Sequence, residues 1–161
     1  MTAGSQQKLS EGDRAPDFEL YTDEKESWRL SDHLDRPVLL LFFPGAFTSV
    51  CTTELDTVNT DLDRFGDARV VGISTDAPAV LKAFRSKNGF EFTLLSDHKA
   101  NVSDAYGARY DEHAHPMNFD RVAKRAAFLI TEDGVIRYQE VLTDARKLPN
   151  FDAVEQAIKG L

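Results

Sequence analysis

The chain carries one cysteine, Cys51, and the residues around it are of the kinds a reactive thiol needs. A lone thiol cannot close a disulfide within its own chain, nor build a thiolate metal site by itself. What remains open to it is nucleophilic attack or burial as a small apolar side chain. Burial has a clear argument. Cys51, Leu55, Val58, Leu62 and Phe65 recur at steps of four and three, the spacing of a core-facing helical stripe. Unpaired cysteines are among the most buried residue types. The preceding Pro44-Gly45-Ala46-Phe47-Thr48-Ser49-Val50 argues for the nucleophile. If Thr48 or Ser49 caps the helix, Cys51 sits in its first turn, where unpaired N–H groups and the helix dipole favour a thiolate. The Thr48 hydroxyl, three residues earlier, is within reach of the sulfur or of an oxygen bound beside it. Pro44 and Gly45 end the preceding strand sharply, and Phe43, Pro44 and Phe47 can shield the pocket from bulk water.

The elements that must position this cysteine follow from hydrophobic periodicity. "PVLLLFF" (37–43) is apolar throughout, as in a central strand covered on both faces. The stripe that includes Cys51 predicts a helix running to the stop at Gly66. "ARVVGIST" (68–75) predicts a second buried strand. Thr75 or Asp76 is the expected cap of a helix with Pro78 in its first turn, ending at Gly89. "DFELY" (17–21) alternates as a half-buried strand, "WRL" (28–30) can return beside it, and "SDHL" starts a helix. "FEFTLLSD" (90–97) reads as a shorter strand and "NVSDAYG" (101–107) as a short helix. "RAAFLIT" (125–131) and "VIRYQEVL" (135–142), joined by "EDG", predict a β-hairpin. The final helix places Phe151, Val154 and Ile158 on one face. This order predicts one α/β domain over residues 1–161, with a mixed sheet and helices on both faces. In such sheets, sites form where a strand's carboxyl end runs into a helix, and Cys51 lies there.

The totals bound the partners. At 161 residues with 42% hydrophobic and 29% charged residues, the chain has the composition of a globular domain. No segment approaches the ~20 apolar residues of a membrane helix, and "MTAGSQQKLSEG" lacks a signal peptide's apolar core, so a cytoplasmic location is expected. A net charge of −8 argues against nucleic-acid or anionic-membrane partners. Aspartate supplies 17 of the 27 acidic residues, which fits an ordinary acidic protein or a salt-adapted surface.

The segment Pro44-Gly45-Ala46-Phe47-Thr48-Ser49-Val50-Cys51 resembles the peroxiredoxin active-site pattern P-x-x-x-T-x-x-C. The flanking "LLLFF" and "TTEL" resemble that family too, as do "GDRAPDFEL", "FTLLSD", "AYG" and "KRAAFLITEDGVIRY" in the right order. The details are most similar to the one-cysteine AhpE type, then to the bacterioferritin-comigratory (peroxiredoxin Q) type. The resemblance implies a thioredoxin-like fold with an N-terminal β-hairpin extension, and peroxide reduction at Cys51. It implies that Pro44 limits solvent access, that Thr48 hydrogen-bonds sulfur and peroxide, and that Arg125 stabilises the thiolate and the charge developing on the peroxide. Backbone N–H groups of Val50 and Cys51 are expected to hold substrate. Glu54 matches a glutamate often found three residues after the cysteine, and is read as a supporting residue or a plain surface carboxylate. The arginine strand departs from the family in having Ala126-Ala127 where threonine or serine is usual, and Lys124 reads as a solvated charge.

Peroxide attack leaves a sulfenic acid, which ordinarily condenses with a second thiol. The peroxiredoxin Q type can place that thiol five residues on; here Asp56 stands there, and no other cysteine follows. The expected reductant is therefore external: a small thiol, or a thioredoxin- or glutaredoxin-like protein. No cofactor or metal is expected, and a homodimer is. His113 and His115, beside Asp111 and Glu112, read as loop residues more readily than metal ligands, and Met117 or Phe119 as pocket residues. His33 and His98 have no recognisable partners, and nucleotide motifs are absent. The competing class is a non-enzymatic thioredoxin-fold redox sensor or holdase-like binding protein.

Overall fold

In a computed structural model, which describes residues 9–110, 121–144 and 146–161, the apolar run becomes strand β3 (Val38–Phe42), buried along its whole length. The other strands are β1 (Glu19–Thr22), β2 (Ser27–Arg29), β4 (Arg69–Ser74), β5 (Thr93–Ser96), β6 (Arg125–Ile130) and β7 (Ile136–Leu142). They form one seven-stranded sheet in the order β2-β1-β5-β4-β3-β6-β7. β3, β4 and β5 run parallel. β1 is antiparallel to β2 and β5, and β6 is antiparallel to β3 and β7. The mixed α/β sheet expected from the sequence is present.

Because strand side chains alternate between faces, β3 supplies both cores. Val38, Leu40 and Phe42 pack on one side with Phe18, Trp28, Leu30, Val102 and Tyr106. Leu39 and Leu41, with Phe43 just beyond, pack on the other with Cys51, Leu55, Val58, Phe84, Phe151 and Val154. Three helices, α1 (Ser49–Thr60), α2 (Pro78–Asn88) and α4 (Phe151–Lys159), contribute to this second core. The first is closed by the N-terminal segment and the five-residue α3 (Asn101–Ala105). Burying a side chain of the size of leucine or phenylalanine contributes about 1.5–3 kcal/mol, so both faces of β3 are strongly committed.

Four local expectations shift. The helix after Cys51 stops at Thr60, and Leu62–Phe65 continue as a 3-10 turn. Thr57, Asn59, Thr60 and Asp61 are weak helix formers, and Leu62 and Phe65, three apart, suit a three-residue turn. "SDHL" likewise forms a 3-10 turn, Leu30–His33, since only Leu30 is buried on it and Pro37 follows closely. Neither Thr75 nor Asp76 caps α2; Ala77 is the N-cap residue and receives no side-chain hydrogen bond. The Asp76 carboxylate accepts instead from the Ala46 N–H (2.8 Å) and the Ser74 hydroxyl (2.7 Å). His33 does have partners: its ring stacks on Trp28 at 4.3 Å, and its Nδ1 lies 2.8 Å from the Arg29 carbonyl.

Gly72 in β4 is required by close approach. A Cβ there would stand 2.7 Å from Leu94 Cδ2 and 3.3 Å from the Phe43 ring. Phe43 leads directly into the loop before Cys51, so this glycine seats the start of the site. Gly72→Ala is expected to lower stability by about 1–3 kcal/mol through overpacking, read as a lower urea midpoint with unchanged m-value; an unaltered midpoint would refute the assignment.

Candidate active site

The site forms where the end of β3 meets the start of β6. In their antiparallel register Phe42 pairs with Ala126, so Arg125 lies one residue past the pair, level with Phe43. The chain leaves β3 through Pro44–Phe47 and enters α1 at Thr48. Cys51 is thereby the third residue of the helix, turned inward on the apolar stripe, and only 1% exposed. Cys51 packs in the core, as the burial reading expects, and it also faces a cation. Arg125 Nη1 donates to Cys51 Sγ at 3.3 Å across 74 residues of sequence.

Glu54 lies one turn further along α1 and has no exposed surface. Burial removes the surface-carboxylate reading. Its Oε1 accepts from the same Arg125 Nη1 at 2.6 Å, while its buried Oε2 has no hydrogen-bond partner among the described residues. Burial pushes the Glu54 carboxyl up to about 7, with the attraction of Arg125 working against it. Burial alone would pull the Arg125 guanidinium down, but Glu54 and Cys51 hold it above its ordinary value. The arginine therefore stays charged.

Thr48 is exposed, and its hydroxyl donates to the Gly45 carbonyl at 2.8 Å instead of capping α1. The helix thus begins without a side-chain cap, which leaves the amides of its first turn without a side-chain acceptor from the cap residue. The hydroxyl oxygen keeps its lone pairs for a further donor. Pro44 is half-buried, whereas Phe47 is 49% exposed. Phe47 also has φ +65°, a left-handed backbone conformation that costs a bulky residue about 1–2 kcal/mol. Its ring is held against Phe84 of α2 at 5.1 Å. Asp56 is exposed on the outer side of α1.

Two residues near the site are not marked by the sequence as belonging to it. Tyr110 is buried and feels the charges of the site: burial pushes its phenol up, Arg125 opposes this, and Asp144 and Cys51 add to it. It arrives through the bridge of Arg109 to Ala123 and its own N–H to the Val122 carbonyl, pairings between segments that lack any strand pattern. Asp76 looks like an ordinary helix cap, and only the tertiary structure gives its carboxylate to Ala46. His113, His115, Met117 and Phe119 lie outside the described residues. Among those described, no cluster of three histidine, cysteine or carboxylate groups could hold a metal ion, and no helix is long and apolar enough to cross a membrane.

Glu54's raised carboxyl has a signed consequence. Between its ordinary value near 4.5 and about 7, the folded state binds more protons than the unfolded one, so this group's contribution falls as pH rises. Glu54→Gln is expected to remove a downward slope in stability over that range, amounting to about 3 kcal/mol. Urea midpoints measured from pH 4.5 to 7.5 check this; parallel profiles for wild type and variant would refute it.

The chain can be set beside known proteins. The sequence pattern of the AhpC/TSA family matches residues 11–139. A putative peroxiredoxin Bcp of Haemophilus influenzae is 37% identical over 131 residues, covering 80% of this chain and 83% of that protein. The peroxiredoxin Bcp of Escherichia coli K12 is 33% identical over 153 residues, covering 94% and 96%. Among solved structures, peroxidoxin BcpB from Mycobacterium tuberculosis superposes with a TM-score of 0.80 at 28% identity, over 95% of this chain and 98% of that one.

Proposed function

The chain belongs to the AhpC/TSA family, the peroxiredoxins, and from that premise we propose how its residues carry out thiol-dependent peroxide reduction. The fold is thioredoxin-like and the activity is that of a thiol peroxidase. Residues 1–161 act as one domain, and Cys51 is the nucleophile. The observation that carries this reading is the 3.3 Å contact between Arg125 Nη1 and Cys51 Sγ in a buried site.

The Cys51 thiolate attacks one peroxide oxygen. A sulfur–oxygen bond forms, the oxygen–oxygen bond breaks, and the departing oxygen takes a proton to leave as water or an alcohol. Sulfur loses two electrons to the peroxide and becomes a sulfenic acid. Arg125 stabilises negative charge on the sulfur and on the departing oxygen, a positioned cation acting where solvent is excluded. Thr48 accepts a hydrogen bond from the peroxide with the lone pairs its bond to Gly45 leaves free. The uncapped amides of Val50 and Cys51 donate to its oxygens. Pro44 keeps water from the sulfur. Glu54 acts through Arg125, as a positioning residue that accepts from the same nitrogen.

Regeneration draws on external thiols, because the chain has no second cysteine. One thiol condenses with the sulfenic acid, releasing water and leaving a mixed disulfide; a second displaces Cys51 and carries away the disulfide. Small thiols and thioredoxin- or glutaredoxin-like proteins supply this chemistry. That dependence supports a reducing compartment, the cytoplasm. Phe47, 49% exposed in the loop before Cys51, supports association as a homodimer.

Reduced protein mixed with one equivalent of hydrogen peroxide, quenched and weighed by mass spectrometry, tests the assignment. Cys51 is expected to oxidise far faster than free cysteine, and a rate no greater than free cysteine would end the peroxidase reading. Cys51→Ser is expected to abolish turnover with supplied thiol. Arg125→Ala is expected to slow oxidation about 100-fold while remaining folded, since Glu54 can take up a proton once its cation is gone. Full activity in either variant would remove the role given to that residue.

A further inference from the structure

Cys51 has two requirements that conflict. Its oxidation needs the loop, the first turn of α1 and Arg125 held in place around a small peroxide. Reduction of the sulfenic acid needs a thiol to reach a sulfur that is 1% exposed. Something in this region must hold, and the same thing must let go.

The far half of α1 does not move easily. Leu55 and Val58 are buried, and Asn59 donates to the Gly89 carbonyl at 3.1 Å and accepts from the Glu91 N–H at 2.8 Å. The near end is different. Thr48 and Ser49 are exposed, and the helix lacks a side-chain cap. The loop before it is held to the β4–α2 unit by a polar link and an aromatic one: the Ala46 N–H donates to Asp76 Oδ2 at 2.8 Å, and the Phe47 ring lies 5.1 Å from Phe84. The Asp76 end is fixed. Its carboxylate accepts from the Ser74 hydroxyl at 2.7 Å, and its own carbonyl accepts from the Ser96 hydroxyl at 2.7 Å. Ser74 and Ser96 end the paired strands β4 and β5. Phe47, at φ +65°, is strained in this position, so the backbone itself favours release once the links are weakened.

We propose that Asp76 is a positioning residue that ties the Pro44–Phe47 loop to the central sheet, favouring oxidation of Cys51 and opposing reduction of its sulfenic acid. The inference rests on the peroxidase reading above. A hydrogen bond to a carboxylate shifts an opening equilibrium by about tenfold or more. That sets the scale of the effect, and the two half-reactions feel it with opposite sign. A residue that merely stabilised the fold would not separate them.

The test measures each half-reaction alone in the full chain. Oxidation by one equivalent of hydrogen peroxide, and reduction of the sulfenic form by dithiothreitol, are both followed by quenching and mass spectrometry. Asp76→Ala is expected to slow the first and to speed the second, the two fold-changes multiplying to about tenfold or more. Asp76→Asn keeps an oxygen that accepts from Ala46, and is expected to lie closer to wild type than Asp76→Ala in both. Rates that are unchanged in Asp76→Ala, or that move in the same direction, overturn the proposal, as does an Asp76→Asn protein that matches Asp76→Ala. If Asp76→Ala does not fold, Ser74→Ala removes the hydroxyl that orients the carboxylate and is held to the same signs. A wild-type Cys51 no more reactive than free cysteine refutes the peroxidase reading instead, so the two failures are distinct.

Discussion

A guanidinium placed inside a protein is costly unless groups able to bear negative charge surround it. Arg125, 1% exposed, meets this constraint in part through Nη1, which donates to both the Cys51 sulfur and the Glu54 carboxylate. One cation thus serves two acidic groups on the same helix. The arrangement leaves Glu54 with a carboxyl raised by burial to about 7, able to change its proton count near neutrality while the arginine keeps its charge. The site's electrostatics are a property of the three groups together, and no one of them can be changed without the other two responding.

That interaction fixes what the scaffold must do. β3 and β6 must pair in the register that brings Arg125 level with Phe43, and α1 must present the face that carries Cys51, Glu54, Leu55 and Val58 inward. A slip of one residue in β6 would turn Arg125 to the opposite face of the sheet. The register is secured by the apolar side chains of β3 and β6, which are buried on both faces. Cys51 is therefore held by ordinary core packing: the stripe that made burial plausible for it is what delivers its sulfur to the arginine.

The loop between β3 and α1 is the least regular part of this arrangement. It contains a phenylalanine at positive φ, a threonine whose hydroxyl turns back on its own loop, and a helix start with no side-chain cap. Each departs from what local propensity favours. Such departures persist where surrounding structure imposes them, and here β4 and α2 do so through Asp76 and Phe84.

Much of this was legible in the chain itself. The buried run 37–43, the stripe from Cys51 and the hairpin from Arg125 are short-range patterns that periodicity reports directly, while the spacing of Pro44, Thr48 and Cys51 was legible through its resemblance to the peroxiredoxin pattern. Given peroxidase chemistry at the single cysteine, the count sends regeneration outside the chain. What the sequence could not express were pairings between distant segments. Glu54 reads equally as a surface carboxylate until β6 places a cation against it, Asp76 reads as a helix cap until Ala46 presents its N–H, and Tyr110 has no pattern at all. A residue's type and spacing determine what it can do. Which partner it meets is decided by strand register and helix docking, and those depend on the packing of the whole core.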